Sequence, residues 1–134
     1  MSGETDLGRL LRGMQPRHNP GEYVFCTVET PGQAAALTPL GSFREGEAVT
    51  VILSREQADE ASLPYSLVCA WITLTVHSSL EAVGLTAAVS KALTDAKISC
   101  NVVAAYYHDH LFVPLNDAAR AMEVLEGLSK EGEL

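Results

Sequence analysis

The sequence predicts an α+β fold in which an antiparallel sheet carries helices on one face. Three observations lead there. Apolar residues alternate two by two in separate short stretches, as in Val68, Ala70, Ile72, Leu74 and Val76. Between such stretches they recur at spacings of three and four, as in Leu85, Ala88, Val89, Ala92, Leu93 and Ala96. The two patterns take turns along 134 residues, the length of one compact domain.

Residues 6–14 open with a short amphipathic helix. Leu7, Leu10, Leu11 and Met14 share its apolar side, and Thr5 or Asp6 stands at its N-cap. Gln15 to Gly21 contains Pro16, Pro20 and Gly21 and reads as a turn. Glu22 to Glu29 is a strand, with Tyr23, Phe25 and Thr27 on one face and Val24, Cys26 and Val28 on the other. Both faces are largely apolar, which places it inside a sheet. Thr30 to Glu45, bracketed by Pro31-Gly32 and Pro39, reads as a loop with room for one short strand. Ala48 to Leu53 is the next strand. Ser54 and Gln57 then form a capping box for a helix whose buried side is Ala58, Ala61 and Leu63 and which Pro64 ends.

Ser66 to His77 is a long strand. Its aliphatic face belongs to the core, and Cys69, Trp71, Thr73, Thr75 and His77 line a mixed face that suits solvent or a second layer. Gly84 to Ala96 is a helix and Ile98 to Tyr107 a strand. His108-Asp109 makes a two-residue hairpin turn and His110 to Pro114 returns. Asn116 caps a last helix with Ala118, Met122, Leu125 and Leu128 on its apolar side, and Ser129 to Leu134 frays.

The resulting order is α-β-β-α-β-α-β-β-α. From residue 66 onward it is the ferredoxin-like order βαββαβ without its last strand, and the first half is the same order without its first. The expected architecture is therefore two pseudo-repeats, 1–64 and 65–134, sharing one sheet within a compact domain. The sheet face bearing Trp71 then calls for another layer or a second copy.

Composition excludes several functions. Hydrophobic residues make up 47% and charged residues 19%, so the chain folds rather than stays disordered. No apolar run approaches the ~20 residues a membrane helix needs, and no charged-then-apolar leader is expected at the start. The net charge is −8, with 5 basic and 9 acidic residues in 1–64 and 4 basic and 8 acidic in 65–134. Nucleic acid and anionic membranes want a basic footprint, and none is present. Cys26, Cys69 and Cys100 form no Cys-x-x-Cys pair and each lies in an apolar run. They read as reduced thiols of a cytoplasmic protein, with nothing local to activate one as a nucleophile.

The candidate sites are few. Ser78 to Val83 leads into the helix at Gly84-Leu85-Thr86, whose free amides suit a carboxylate; an ordinary strand-to-helix turn has the same pattern. His108-Asp109-His110, with His77 as a neighbour, invites a metal, but two converging ligands fall short of the three or four that zinc or iron needs. Hydrogen bonding of His108 or His110 to a ligand is the better reading, and no metal or cofactor is expected. An acid–base enzyme would need His108, Asp109 and His110 to converge in a deep pocket. No phosphate loop, dinucleotide fingerprint or nucleophile elbow occurs. Glu56, Asp59 and Glu60 form a solvated helix face, and Tyr106 and Tyr107 read as sheet packing.

The run from Gly84-Leu85-Thr86-Ala87-Ala88-Val89-Ser90 through Leu93 to Ile98-Ser99-Cys100-Asn101-Val102 resembles the first helix and second strand of ACT domains. Ala105 to Pro114 resembles the hairpin of small stand-alone bacterial ACT-like proteins. Glu4-Thr5-Asp6-Leu7 with Tyr23 to Val28 resembles their opening, so the likeness spans nearly the whole chain. It implies binding without catalysis: a regulatory or sensor module for an amino acid or similar small ligand, working as a homodimer. By the same resemblance the ligand contacts are Val83, Gly84, Leu85 and Thr86, with Asn101, and His108 and His110 join them. A module that keeps the fold, loses the ligand and binds another protein is the alternative, with an exposed apolar patch at Trp71 or Tyr23.

Overall fold

The computed structural model describes residues 8–9, 11–75 and 84–131. Among them, after a helical turn at 11–13, run β1 (Gln15–Val28), α1 (Pro31–Ala36), β2 (Gly41–Arg44), β3 (Val49–Ser54), α2 (Arg55–Glu60) and β4 (Cys69–Thr75). They are followed by α3 (Leu85–Asp95), β5 (Asn101–Ala104), β6 (Asp109–Pro114), a 3-10 turn (Leu115–Asp117) and α4 (Ala118–Glu131). The chain forms two units, one comprising Pro20–Ala70 and the other Met1–Asn19 with Trp71–Leu134.

In the Pro20–Ala70 unit the strand order is β2-β3-β1, with Cys69 and Ala70 of β4 next to β1. All described pairings with β3 are antiparallel: Tyr23 lies opposite Ser54 and Val28 opposite Val49, and Gly41 lies opposite Ile52. The core is Val24 and Cys26 of β1, Val49, Val51 and Leu53 of β3, and one alanine from each helix, Ala34 and Ala58. With α1 and β2 counted, this unit has the full βαββαβ order. The segment Thr30 to Glu45 is thus a helix and a strand rather than a loop. Thr30 is a true N-cap: its side chain accepts from the Gln33 amide while the Gln33 side chain returns to the Thr30 amide, and Pro31 sits where no amide is needed.

The second unit orders its strands β1-β4-β6-β5, with β1 contributing Gln15–Asn19. From β4 onward the chain supplies βαββα, and the missing last strand comes from the beginning of the chain. Both repeats are ferredoxin-like. The core here is Ile72, Leu74, Leu85, Val89, Leu93, Leu111, Val113, Ala121 and Leu125, all nearly or fully buried.

Several boundaries differ from expectation for physical reasons. Gln15 to Gly21 is strand, not turn. Pairing of β1 with β3 runs only from Tyr23 to Val28, so Pro16 and Pro20 occupy a stretch where a missing amide breaks no bond to β3. α2 stops at Glu60, well before Pro64. Ser62 takes φ 56°, and the Leu63 and Ser62 amides close back on the Ala58 and Asp59 carbonyls. The last hairpin turns through residues 105–108, with the Ala105 amide donating to the His108 carbonyl at 3.0 Å and Ala104 opposite Asp109. Tyr106 and Tyr107 therefore stand at the tip, 90% and 79% exposed, and are not sheet packing. Asn116 lies within the 3-10 turn. The fraying expected from Ser129 is absent as far as Glu131: α4 continues, and the Ser129 hydroxyl donates to the Met14 carbonyl at 3.1 Å. Glu4 to Leu7, Leu10 and Val76 to Val83 lie outside the described residues.

Candidate functional site

The polar chemistry of the second unit gathers on one face of β4 and β6. Strand alternation puts Trp71 and Thr73 on the same side of β4. Asn19, from the first residues of β1, and Thr73 are buried polar side chains, 8% and 7% exposed. The Asn19 amide donates to the Thr73 hydroxyl at 2.8 Å and to the Trp71 carbonyl at 3.4 Å. The Trp71 indole N–H donates to His110 Nδ1 at 3.0 Å, and the Thr73 hydroxyl lies 3.1 Å from the same nitrogen.

An indole N–H can only donate, so His110 Nδ1 must accept and the proton of the neutral ring sits on Nε2. Thr73 accepts from Asn19, and its hydroxyl shares the single lone pair of Nδ1 with the Trp71 N–H in a three-centre arrangement. Burial holds the His110 imidazole below its usual pKa; His108 pushes the same way and Asp109 opposes. Protonating Nδ1 would set two N–H groups against each other at Trp71.

The expected site residues fall as follows. Val83 lies outside the described residues. Gly84 begins α3 with φ 97° and ψ −18°, a left-handed conformation that glycine adopts without strain. Having no side chain, it offers the first turn no acceptor, unlike Thr30 and Ser54 at α1 and α2. Leu85 is buried, so only its backbone could meet a ligand, whereas Thr86 is exposed. Asn101 is exposed on β5 opposite Phe112. His108 and His110 come together, ring centroids 6.3 Å apart and edge to face, and His108 Nδ1 is buried without a hydrogen-bond partner. Asp109 projects to the opposite side of β6 from His110.

Sequence reasoning misses Asn19, and it places Trp71 and Thr73 only on the mixed face of a strand, without their polar partners. The signal for Thr73 was its place on the mixed face of the long strand. Asn19 was hidden because Pro16 and Pro20 made its stretch look like a turn. Trp71 and Tyr23, where an exposed patch was expected, are only partly exposed, and Tyr23 donates its hydroxyl to the Pro20 carbonyl at 3.2 Å. The thiols are protonated and free: burial raises Cys26 and Cys69, and pushes Cys100 up to about 11. Among the described residues, no three His, Cys, Asp or Glu side chains are grouped to hold a metal ion. No helix among them is long and apolar enough to cross a membrane.

Two complete ferredoxin-like repeats in one short chain, with the polar face just described, define a paired-repeat α+β module. Sequence models of the ACT domain match residues 2–70 and 66–127, and the chain belongs to the ACT-domain family. ACT domains are regulatory ligand-binding modules, typically non-catalytic. A Vibrio cholerae protein of unknown function, VC0802, described as a possible transport protein, is 45% identical. It superposes with a TM-score of 0.88 over 96% of this chain and 99% of that one. Protein Atu0741 from Agobacterium tumefaciens is 16% identical, with a TM-score of 0.67 over 87% and 89% of the two chains. The regulatory subunit of aspartate kinase from Thermus thermophilus is 10% identical, with a TM-score of 0.59 over 84% and 95%. At those identities the last two show shared fold alone. No curated protein matches the sequence.

Proposed function

We propose that this protein is a non-catalytic cytoplasmic sensor that binds an amino acid and passes its occupancy to another protein as part of a homodimer. The observation that carries the reading is the entry to α3 in a chain made of two ACT repeats. Gly84 leaves the amides of Leu85, Thr86 and Ala87 without an intrahelical acceptor and without a side-chain cap of its own, an arrangement that suits a ligand carboxylate. Thr86, Asn101, His108 and His110 supply polar side chains in the same unit, and Val83 precedes Gly84 in the sequence. Three free thiols suit a reducing compartment.

The test is a thermal-shift panel of the twenty amino acids. A ligand at a hundred times its Kd adds about 2.7 kcal/mol to native-state stability, several degrees in Tm. A shift with one or a few amino acids is expected. Gly84→Asp should abolish it by placing a carboxylate where the ligand's own would sit. Gly84→Ala carries the same backbone strain without charge and should keep part of the response. Silence across the panel refutes the sensor reading. It would leave a protein-binding module, a reading favoured by the exposure of Tyr106 and Tyr107.

A further inference from the structure

The negative charge of the chain is concentrated in one unit. Residues 20–70 contain seven acidic side chains and two basic ones, a net of −5, and the rest of the chain supplies only −3. The two arginines offset little of this. Arg55 donates to Glu22 at 3.0 Å and to the Tyr65 hydroxyl at 3.1 Å. Arg44 lies opposite Val49, a core residue, and so on the side of the sheet that the helices cover.

Beside β1 and β3 of this unit lies a cavity of about 690 Å³, within the size range of small-molecule sites. Val24 and Cys26 of β1 and Val49 and Val51 of β3 face the helices. Alternation therefore turns Phe25, Thr27 and Thr50 to the other side, where Thr27 and Thr50 lie directly opposite each other and line the cavity. Pro64, Tyr65 and Ser66, in the segment that leads to β4, line it as well. The Tyr65 hydroxyl already accepts from Arg55 and donates to Asp59 at 2.7 Å, so its ring is what it offers the cavity. Among the described residues the lining holds one charged group, the Glu45 carboxylate. It accepts the Thr50 hydroxyl proton, which leaves the Thr50 oxygen as an acceptor.

We infer that this cavity binds a small organic cation, a protonated primary amine with an apolar body and no carboxylate. An ammonium group has three N–H donors and no acceptor. The cavity offers it acceptors: the Glu45 carboxylate and the hydroxyl oxygens of Thr27, Thr50 and Ser66. The bond from ammonium to carboxylate is charge-assisted and is the strongest of the set. Phe25 and Tyr65 present ring surface to the apolar body, and aromatic faces attract a cation besides. The field of a unit at −5 draws an amine in and repels a carboxylate, so the site discriminates against the amino acid that carries the same body. Gly84 belongs to the other unit, and amine binding here does not depend on an amino acid binding there.

The probe is phenethylamine, titrated to about 20 mM into the isotope-labelled full chain while backbone amide shifts are followed, a range that captures millimolar affinity. Saturable shifts are expected at Thr27, Thr50 and Ser66. Phenethyl alcohol has the same body without the charge, and phenylalanine adds a carboxylate. Each should bind at these residues at least about tenfold more weakly. Glu45→Gln keeps an acceptor for Thr50, removes the charge and should weaken amine binding about tenfold. Should that variant fail to fold, raising the salt from about 20 to about 500 mM on the wild type should weaken binding at least threefold. Absent or unsaturable shifts at those residues, equal binding of the alcohol, or an affinity that neither Glu45→Gln nor salt lowers overturns the amine site. Gly84→Asp should leave it intact. Amine binding with silence across the amino-acid panel would refute the sensor reading alone, and the reverse pattern would refute the amine site alone.

Discussion

His110 is the residue on which the polar face turns. Its Nδ1 receives the Trp71 N–H and the Thr73 hydroxyl, so the neutral ring is the form the fold holds. The pH consequence follows from its lowered pKa. Below the usual value of 6.5 the unfolded chain takes up a proton that the native ring resists, so stability should fall as the pH drops through that value and be complete above it. Urea midpoints at about pH 7.5 and about pH 5.5 should differ less in His110→Gln than in the wild type. Thr73→Val leaves the buried Asn19 amide short of an acceptor and should cost about 1–3 kcal/mol. If Thr73→Val proves neutral in denaturant melts, the Asn19–Thr73–His110 chain of bonds has no structural weight. Trp71 and Thr73 were visible in the sequence as one face of a strand. Their joint target was not, because it requires knowing that β6 pairs next to β4.

At the scale of elements, the three shorter helices end alike. Thr38, Ser62 and Lys97 sit at φ 48°, 56° and 61° just past α1, α2 and α3. After α3 the Ile98 amide reaches the Leu93 carbonyl at 2.9 Å and the Lys97 amide that of Thr94 at 2.9 Å. After α1 the place of the longer bond falls to Pro39, which has no amide to give. A left-handed conformation costs a non-glycine residue about 1–2 kcal/mol. Lys97→Gly and Ser62→Gly should each raise Tm by about 3–6 °C in a domain of this size, and unchanged melting would show that the strain is relieved elsewhere. The helix starts were legible wherever one rule was applied evenly. Ser54-x-x-Gln57 and Thr30-x-x-Gln33 share the capping-box spacing, but in the second the adjacent Pro31-Gly32 carries the stronger signal of a loop. That proline is itself a helix-opening residue.

At the scale of the molecule, the repeat order was readable but its closure was not. The strand missing after α4 is supplied by Gln15–Asn19, because β1 is long enough to serve beside β4 as well as beside β3. Long-range pairing of this kind leaves no local periodicity. A fragment of residues 65–134 lacks that strand and the Asn19 amide, so its far-UV circular dichroism should show an unfolded chain. A folded fragment would mean that β1 contributes little to this unit. The candidate site was legible to the extent that it follows motif and alternation, as at Gly84 and His110, and illegible where distant segments meet, as at Asn19.

Cys26 and Cys69 belong to the Pro20–Ala70 unit and Cys100 to the other, and burial keeps all three as protonated thiols. Cys26 and Cys69, 3% and 1% exposed, are thus clocks already built into the chain. An alkylating reagent can reach a buried thiol only when its surroundings open, and peptide mass mapping reads each residue's rate separately. Cys100 is only half-buried and sets the rate of a thiol that needs no opening. Matching slow rates at Cys26 and Cys69 would mean that β1 and β4 of the Pro20–Ala70 unit open together, and a faster Cys69 would mean that β4 is the first strand to let go.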